Sequence, residues 1–310
     1  MIQLATHTEL PPQQNVVKYG VPILMIGSCF TNNIGNKLKE AFFDVDINPF
    51  GETYNPLSIC AELDWLAAGN AFTKSEIEHH GGLWHSMMHH GEFSNASPQI
   101  TLQNINNRLE TAASLLTRNP VIVITLGTAY AYERNGIVVN NCHKMPANNF
   151  TRRRLGIDEI ADRLAASISK INYSHCILTV SPIRHLRDGA HDNQTSKATL
   201  LLAADKLVNG LPDTTYFPAY EIMLDELRDY RFYDEDMTHP TPLAVKYIFE
   251  RFEQTFMDDH TRERMTKCQR LRQRINHRLM HPNTEEAKQF ETETIKMAAQ
   301  LGIKLEEDRG

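Results

Sequence analysis

Residues 21–41 read VPILMIGSCFTNNIGNKLKEA. Val21 to Ile26 is an unbroken apolar run rich in branched side chains, the pattern of a strand buried on both faces. Gly27 permits a tight turn. From Phe30 onward apolar residues return at helical spacing (Ile34, Leu38, Ala41, Phe42), so an amphipathic helix follows. Ser28 falls between strand end and helix start, where unpaired backbone N–H groups and the positive end of the helix dipole gather. A hydroxyl there can cap the helix, or it can act as a nucleophile whose attack builds an oxyanion. The neighbouring Cys29 is also nucleophilic by type. Successive side chains at a turn point in different directions, and the thiol is expected to face inward as a small apolar group.

Further strand patterns recur along the chain. Phe42 to Ile47, Val121 to Leu126, His175 to Val180 and Thr215 to Phe217 read as strands. Helical patterns over Leu57–Ala68, Leu102–Leu116, Ile157–Ile171 and Gln194–Val208 separate them. Asn55-Pro56 and Asn119-Pro120 punctuate helix boundaries, and Gly69 ends one helix. Strand and helix in alternation predict an α/β, three-layer parallel sheet of about five strands with helices on both faces.

Residues 21–257 form this domain. Two long insertions, near 70–100 and 130–151, interrupt it as irregular stretches, and loops of that length usually carry function. They are expected to wall a substrate pocket. Residues 1–20 read as an arm along the surface, with Pro11 and Pro12 opposing regular structure. Residues 258–310 read as a charged helical extension. Its last helix opens at Asn283-Thr284-Glu285-Glu286 and ends at Gly302. The Arg/Lys run from Arg262 to Arg278 is read as a solvated helix face.

The 310 residues carry a formal net charge of −6, with 41% hydrophobic residues. Mean hydropathy is −0.41 and the pI is near 6.2. Nothing here marks a nucleic-acid footprint or attraction to anionic membranes. The first 20 residues lack a basic start followed by an apolar run, and no stretch approaches the ~20 apolar residues of a membrane span. Five cysteines without a CxxC pair read as free thiols. A soluble, cytoplasmic protein is the expectation, with no cofactor.

A second motif lies far downstream. Asp236-Met237-Thr238-His239-Pro240 occupies a loop between Arg231-Phe232-Tyr233 and a helix introduced by Pro242. Aspartate and histidine three apart can join carboxylate to imidazole and leave the other ring nitrogen facing outward. A histidine so held takes a proton from a serine hydroxyl, while the carboxylate fixes its tautomer. The C-terminal ends of parallel strands share one sheet edge, so this loop and the Ser28 turn can converge.

Ile26-Gly27-Ser28-Cys29-Phe30 resembles the signature of the GSCFA family, a branch of the SGNH (GDSL-like) hydrolase superfamily. The likeness extends through Asn48-Pro49-Phe50-Gly51 with Tyr54-Asn55-Pro56, and through Thr125-Leu126-Gly127-Thr128. It continues in Asn141-Cys142-His143-Lys144, Ser181-Pro182-Ile183-Arg184-His185 and Asp236-Met237-Thr238-His239-Pro240, covering roughly 20–250. The resemblance implies a flavodoxin-like sheet and a serine-dependent esterase or acyltransferase acting on small acyl esters. It also implies Ser28 as nucleophile, His239 as base, Asp236 as orienting acid, and Gly51 joining Ser28 as an oxyanion donor. The asparagine that many superfamily members carry after strand three is missing from Gly127-Thr128-Ala129-Tyr130; either Thr128 or a backbone N–H substitutes, or Asn55 swings in from the neighbouring loop, or the hole has only two donors.

Five residues are candidates for the substrate pocket: Asn55, His89, His143, Arg184 and His185. Arg184 and His185 suit an acidic or sugar portion of the substrate, or else a structural ion pair. A small acylated substrate, with a sugar or cell-envelope precursor as carrier, fits this reading. His85 and His89, spaced i, i+4, invite a metal, but no HExxH or carboxylate-rich partner accompanies them and no metal is assigned. Trp84 reads as a plug over the core or part of a sugar-facing lid. Two further readings stand beside the hydrolase. One is a binding protein on the same scaffold, marked by the missing asparagine; the other is a metal-dependent hydrolase using the histidine-rich insertion.

Overall fold

A computed structural model describes residues 6–305. The first five residues of the arm and the last five of the extension lie outside the described residues. Five parallel strands form the central sheet: β1 (Ile23–Gly27), β2 (Val45–Ile47), β5 (Val121–Leu126), β9 (His175–Val180) and β10 (Thr214–Phe217). Their order is β2-β1-β5-β9-β10, a flavodoxin-like layout. All residues of β1, β5 and β9 are buried, as their near-continuous apolar runs require.

Alternation along each strand sorts side chains between two cores. Leu24, Ile26, Ile122, Ile124 and Leu178 face one side, where α2 (Pro56–Ala68), α3 (Pro98–Leu116), α4 (Ile157–Ile168) and α5 (Ala190–Gly210) pack. Ile23, Met25, Val121, Val123 and Ile177 face the other. There α1 (Cys29–Glu40) and α7 (Pro242–Phe256) contribute Phe30, Ile34, Leu38, Phe249 and Phe252. A short helical turn, α6 (Ala219–Glu221), follows β10 and continues as one π-helical segment. Because α1 covers one face and α2–α3 the other, the chain reverses direction between β1 and β5. The carboxyl ends of those two strands therefore flank a crevice.

Both insertions are more ordered than the sequence suggests. Residues 70–100 contain an antiparallel hairpin of β3 (Glu78–His80) and β4 (Leu83–His85). The stretch from Tyr130 is an antiparallel sheet of β6 (Tyr130–Arg134), β7 (Ile137–Val139) and β8 (Thr151–Arg154). Short polar strands such as Tyr-Ala-Tyr-Glu-Arg carry no apolar run, and only the pairing reveals them. The insertions meet over the loop after β2: Asn140 N–H donates to Met87 O at 2.8 Å, and His90 N–H to Phe50 O at 2.8 Å.

The described parts of the N-terminal arm and the C-terminal extension pack onto the domain. Val17 is buried, and its N–H donates to Phe256 O at 2.9 Å. Helix α8 (Asp259–Asn276) buries Met265 and Cys268 in the α1/α7 core. Its arginines are not a plain solvated face: Arg272 lies 4.1 Å over the Phe42 ring and Arg264 4.5 Å over Tyr19. Helix α9 (Glu285–Leu301) packs on α8 and ends at Gly302 in the left-handed conformation. No described helix is long and apolar enough to cross a membrane.

Candidate active site

Gly27 makes the β1–α1 turn feasible. Its φ is +147°, and a Cβ there would stand 2.3 Å from Thr125 O, so only glycine lets β1 lie this close to β5. The loop after β2 clamps the turn. Gly27 N–H donates to Asn48 Oδ1 at 2.9 Å, and Thr53 N–H donates to Gly27 O at 2.9 Å.

Ser28 stands at the N-cap of α1 in an extended conformation, yet its side chain makes no capping bond. The capping role is thus not taken up. At 1% exposure, the hydroxyl donates to Ser181 Oγ, 3.0 Å away beyond the end of β9. No hydrogen bond joins Ser28 to His239 among the described residues.

The downstream motif folds as its spacing suggests. Asp236 Oδ1 accepts from Thr238 N–H at 2.8 Å and from His239 N–H at 2.9 Å. Oδ2 meets His239 Nδ1 at 2.5 Å. Met237 turns the loop with φ +58°. The His239 backbone and ring bonds, with Thr238 N–H, hold the Asp236 carboxyl well below the usual carboxylate range. The other ring nitrogen, Nε2, lies 3.7 Å from Cys29 Sγ. Cys29 is therefore only partly turned inward: it is half-buried, packs against the α1/α7 core and also faces the imidazole. Burial, then the charge of Glu52, pushes its thiol up to about 11.

Of the oxyanion donors expected from sequence, Gly51, Thr128 and Asn55 are engaged elsewhere. Gly51, at φ +84° beside His90, donates its N–H to Asn48 O at 2.8 Å. Thr128 N–H donates to Tyr54 O, while Thr128 Oγ1 sits 3.1 Å from Ser196 Oγ and accepts from Tyr130 N–H. Asn55 caps α2, accepting from Ser58 N–H and donating to Ser58 Oγ, both at 2.9 Å. At the start of α1, Thr31 N–H donates to Ser28 O at 2.8 Å, and the Cys29 and Phe30 backbone N–H groups favour the thiolate of Cys29.

The five pocket candidates separate. His89 is a core residue: it is 1% exposed, stacked at 4.6 Å on Phe50, edge-on to Phe72 and Phe93, and pushed down to about 3 by burial. His143 binds Ser86 O through Nε2 at 2.8 Å and sits 4.3 Å from His85, held low by burial. Arg184 and His185 reach the site. Arg184 N–H donates to Thr238 O at 3.2 Å, and the His185 ring lies 6.0 Å from Tyr54. Arg184 Nε and His185 Nε2 are buried without a hydrogen-bond partner among the described residues. Burial, then the charge of Lys197, lowers His185 to about 4.

His85 and His89 do not share a helix: His85 ends β4, and both its ring nitrogens lie on Ser94 Oγ and His80 O. Among the described residues no group of three or more His, Cys, Asp or Glu is placed to hold a metal ion. Trp84 is paired by its backbone with Asn95 and packs against the α2–α5 core.

Sequence reasoning missed Lys197, Glu52 and Ser181. Lys197 is buried on α5, its Nζ donating to Gly127 O and Ser181 O at 2.7 Å each. Burial lowers it to about 7. Its place on the apolar stripe with Leu200, Ala204 and Leu207 was the available signal. Glu52 gathers Asn32 Nδ2 at 2.8 Å and Tyr54 OH at 2.5 Å beside the turn.

A search of curated proteins finds no match to this chain. A family model described as the GSCFA family matches residues 22–252, from β1 through most of α7 and every strand of the central sheet. The chain belongs to the GSCFA family.

Proposed function

We propose that this protein is an esterase or acyltransferase on an SGNH-like scaffold, acting on small acyl esters such as an acylated sugar or cell-envelope precursor. The nucleophile comes from the Ser28–Cys29 turn, and His239 is the general base oriented by Asp236. One observation carries the reading: the Asp236–His239 pair, bonded at 2.5 Å, presents its free Nε2 to the start of α1. There the nucleophile, the base and the α1 N–H groups meet at the carboxyl end of β1. The carboxylate stabilises the imidazolium formed when His239 takes the nucleophile's proton. The α1 N–H groups and dipole then receive the developing oxyanion. The two insertions wall this edge of the sheet, and Arg184 and His185 lie beside it for the rest of the substrate.

A second reading, a binding protein on the same frame, draws on the Gly51, Thr128 and Asn55 donors, all committed to backbone or capping bonds. A panel of short-chain acyl esters and acetylated sugars separates the two. The wild type is expected to turn over at least one of them, and His239→Ala to lower kcat/KM at least about a hundredfold. If no ester is turned over, or if His239→Ala retains wild-type rates, the acyl-transfer reading fails.

A further inference from the structure

The site holds two adjacent nucleophiles, and their surroundings differ. The Ser28 hydroxyl is sealed from solvent and spends its hydrogen on Ser181 Oγ. Ser181 Oγ also accepts from Ile183 N–H, so that pair is tied into the backbone after β9. The Cys29 thiol is half-buried, lies 3.7 Å from His239 Nε2, and stands at the first position of α1. The imidazole it faces is the one that Asp236 orients through Nδ1. Sulfur, imidazole and carboxylate thus stand in line, brought together from positions 29, 239 and 236.

We propose that Cys29, not Ser28, is the nucleophile of this site, and that the covalent intermediate is a thioester. The proposal rests on the acyl-transfer reading above. In the first step Cys29 Sγ forms a bond to the acyl carbonyl carbon as the thiol proton passes to His239 Nε2. The tetrahedral oxyanion collapses, the carbon–oxygen bond of the ester breaks, and His239 returns the proton to the departing alcohol. In the second step His239 takes a proton from water or an acceptor hydroxyl, whose oxygen attacks the thioester. The carbon–sulfur bond breaks and Cys29 recovers its proton from His239. Burial and Glu52 keep the resting group a thiol, so base removal of the proton coincides with attack. Ser28 acts as a positioning residue that ties the turn to the end of β9.

The test uses the full chain and p-nitrophenyl acetate, quenched in acid and mapped by peptide mass spectrometry before and after neutral hydroxylamine. An acetyl group on Cys29 is expected, removed by hydroxylamine, present in Ser28→Ala and absent from Cys29→Ala. An acetyl group on Ser28 that survives in Cys29→Ala overturns the proposal and leaves the acyl-transfer reading standing.

A second measurement needs no ester. Iodoacetamide alkylation of Cys29 is followed against Cys142, the other half-buried cysteine. His239→Ala is expected to slow Cys29 relative to Cys142 by at least about tenfold, since thiolate is the reacting form. An unchanged or faster ratio overturns the pairing whatever the esters do. A tenfold fall without any ester turnover keeps Cys29 as the reactive group and removes the acyl-transfer reading.

Discussion

Lys197 shows how much one side chain can commit a fold to its site. Its amine sits where two carbonyls, those of Gly127 and Ser181, close over it, and the Tyr220 ring lies 5.6 Å away. A neutral amine has two N–H groups, matching the two carbonyls. Burial lowers the group from 10.5 to about 7. Below pH 7 the lysine is charged in both folded and unfolded chains, and the fold bears the full cost of holding an ammonium away from water. Between pH 7 and 10.5 the unfolded chain keeps the proton that the folded chain has lost, so stability rises with pH across that window. Lys197→Met removes this slope. Urea unfolding at pH 7 and pH 10 should show wild-type stability gaining on the variant, and a gap that stays flat would count against a buried neutral amine. Residue-level detail of this kind was only partly legible. The Asp236–His239 pair could be read from its spacing, because both partners lie in one short loop. The directions of Ser28 and Cys29 could not, because Ser181, His239 and Asn48, all distant in sequence, set them.

At the scale of elements, legibility followed hydrophobic run length. The three central strands β1, β5 and β9 announce themselves because burial on two faces demands near-continuous apolar residues, and Val121–Leu126 is found where it was expected. In the hairpin β3–β4 and the sheet β6–β8, β3, β6 and β8 are half-exposed and polar and β4 and β7 are only three residues long, so pairing alone distinguishes them from loops. Helix α7 was readable from Pro242 onward, and its aromatic face explains its hold on the sheet. Phe252 is buried, with its ring edge-on to Phe217 of β10 at 5.4 Å and 4.9 Å from Phe256. Phe252→Ala leaves a cavity against β10, and a loss of about 3–5 kcal/mol is expected in urea unfolding. Because α7 begins directly after the His239 loop, the same variant should also loosen His239. A stability loss below about 1 kcal/mol would mean that the aromatic cluster repacks around the gap.

For the whole molecule, the question is where the folding unit ends. The family match stops at residue 252, and composition places the boundary at the charged stretch after Met257. The core does not stop there. Helix α8 places Met265, Cys268 and Leu271 at 2%, 0% and 0% exposure, the first two in the α1/α7 core. Arg272 caps that contact from outside, its guanidinium over Phe42 and its Nε donating to Glu40 O at 3.3 Å. Three such apolar side chains contribute on the order of 5 kcal/mol, which is comparable with the whole stability of an ordinary domain. Helix α9 is different: its buried positions are Ala287, Thr294 and Ala298, small side chains that rest largely on α8. Two truncations should therefore diverge. A chain ending at Met257 exposes the α1/α7 face and is expected to aggregate or to lose its cooperative thermal transition. A chain ending at Met280 keeps α8 and is expected to melt cooperatively, a few degrees below full length. Cooperative melting of the shorter chain within a few degrees of full length would show that α8 is an appendage after all.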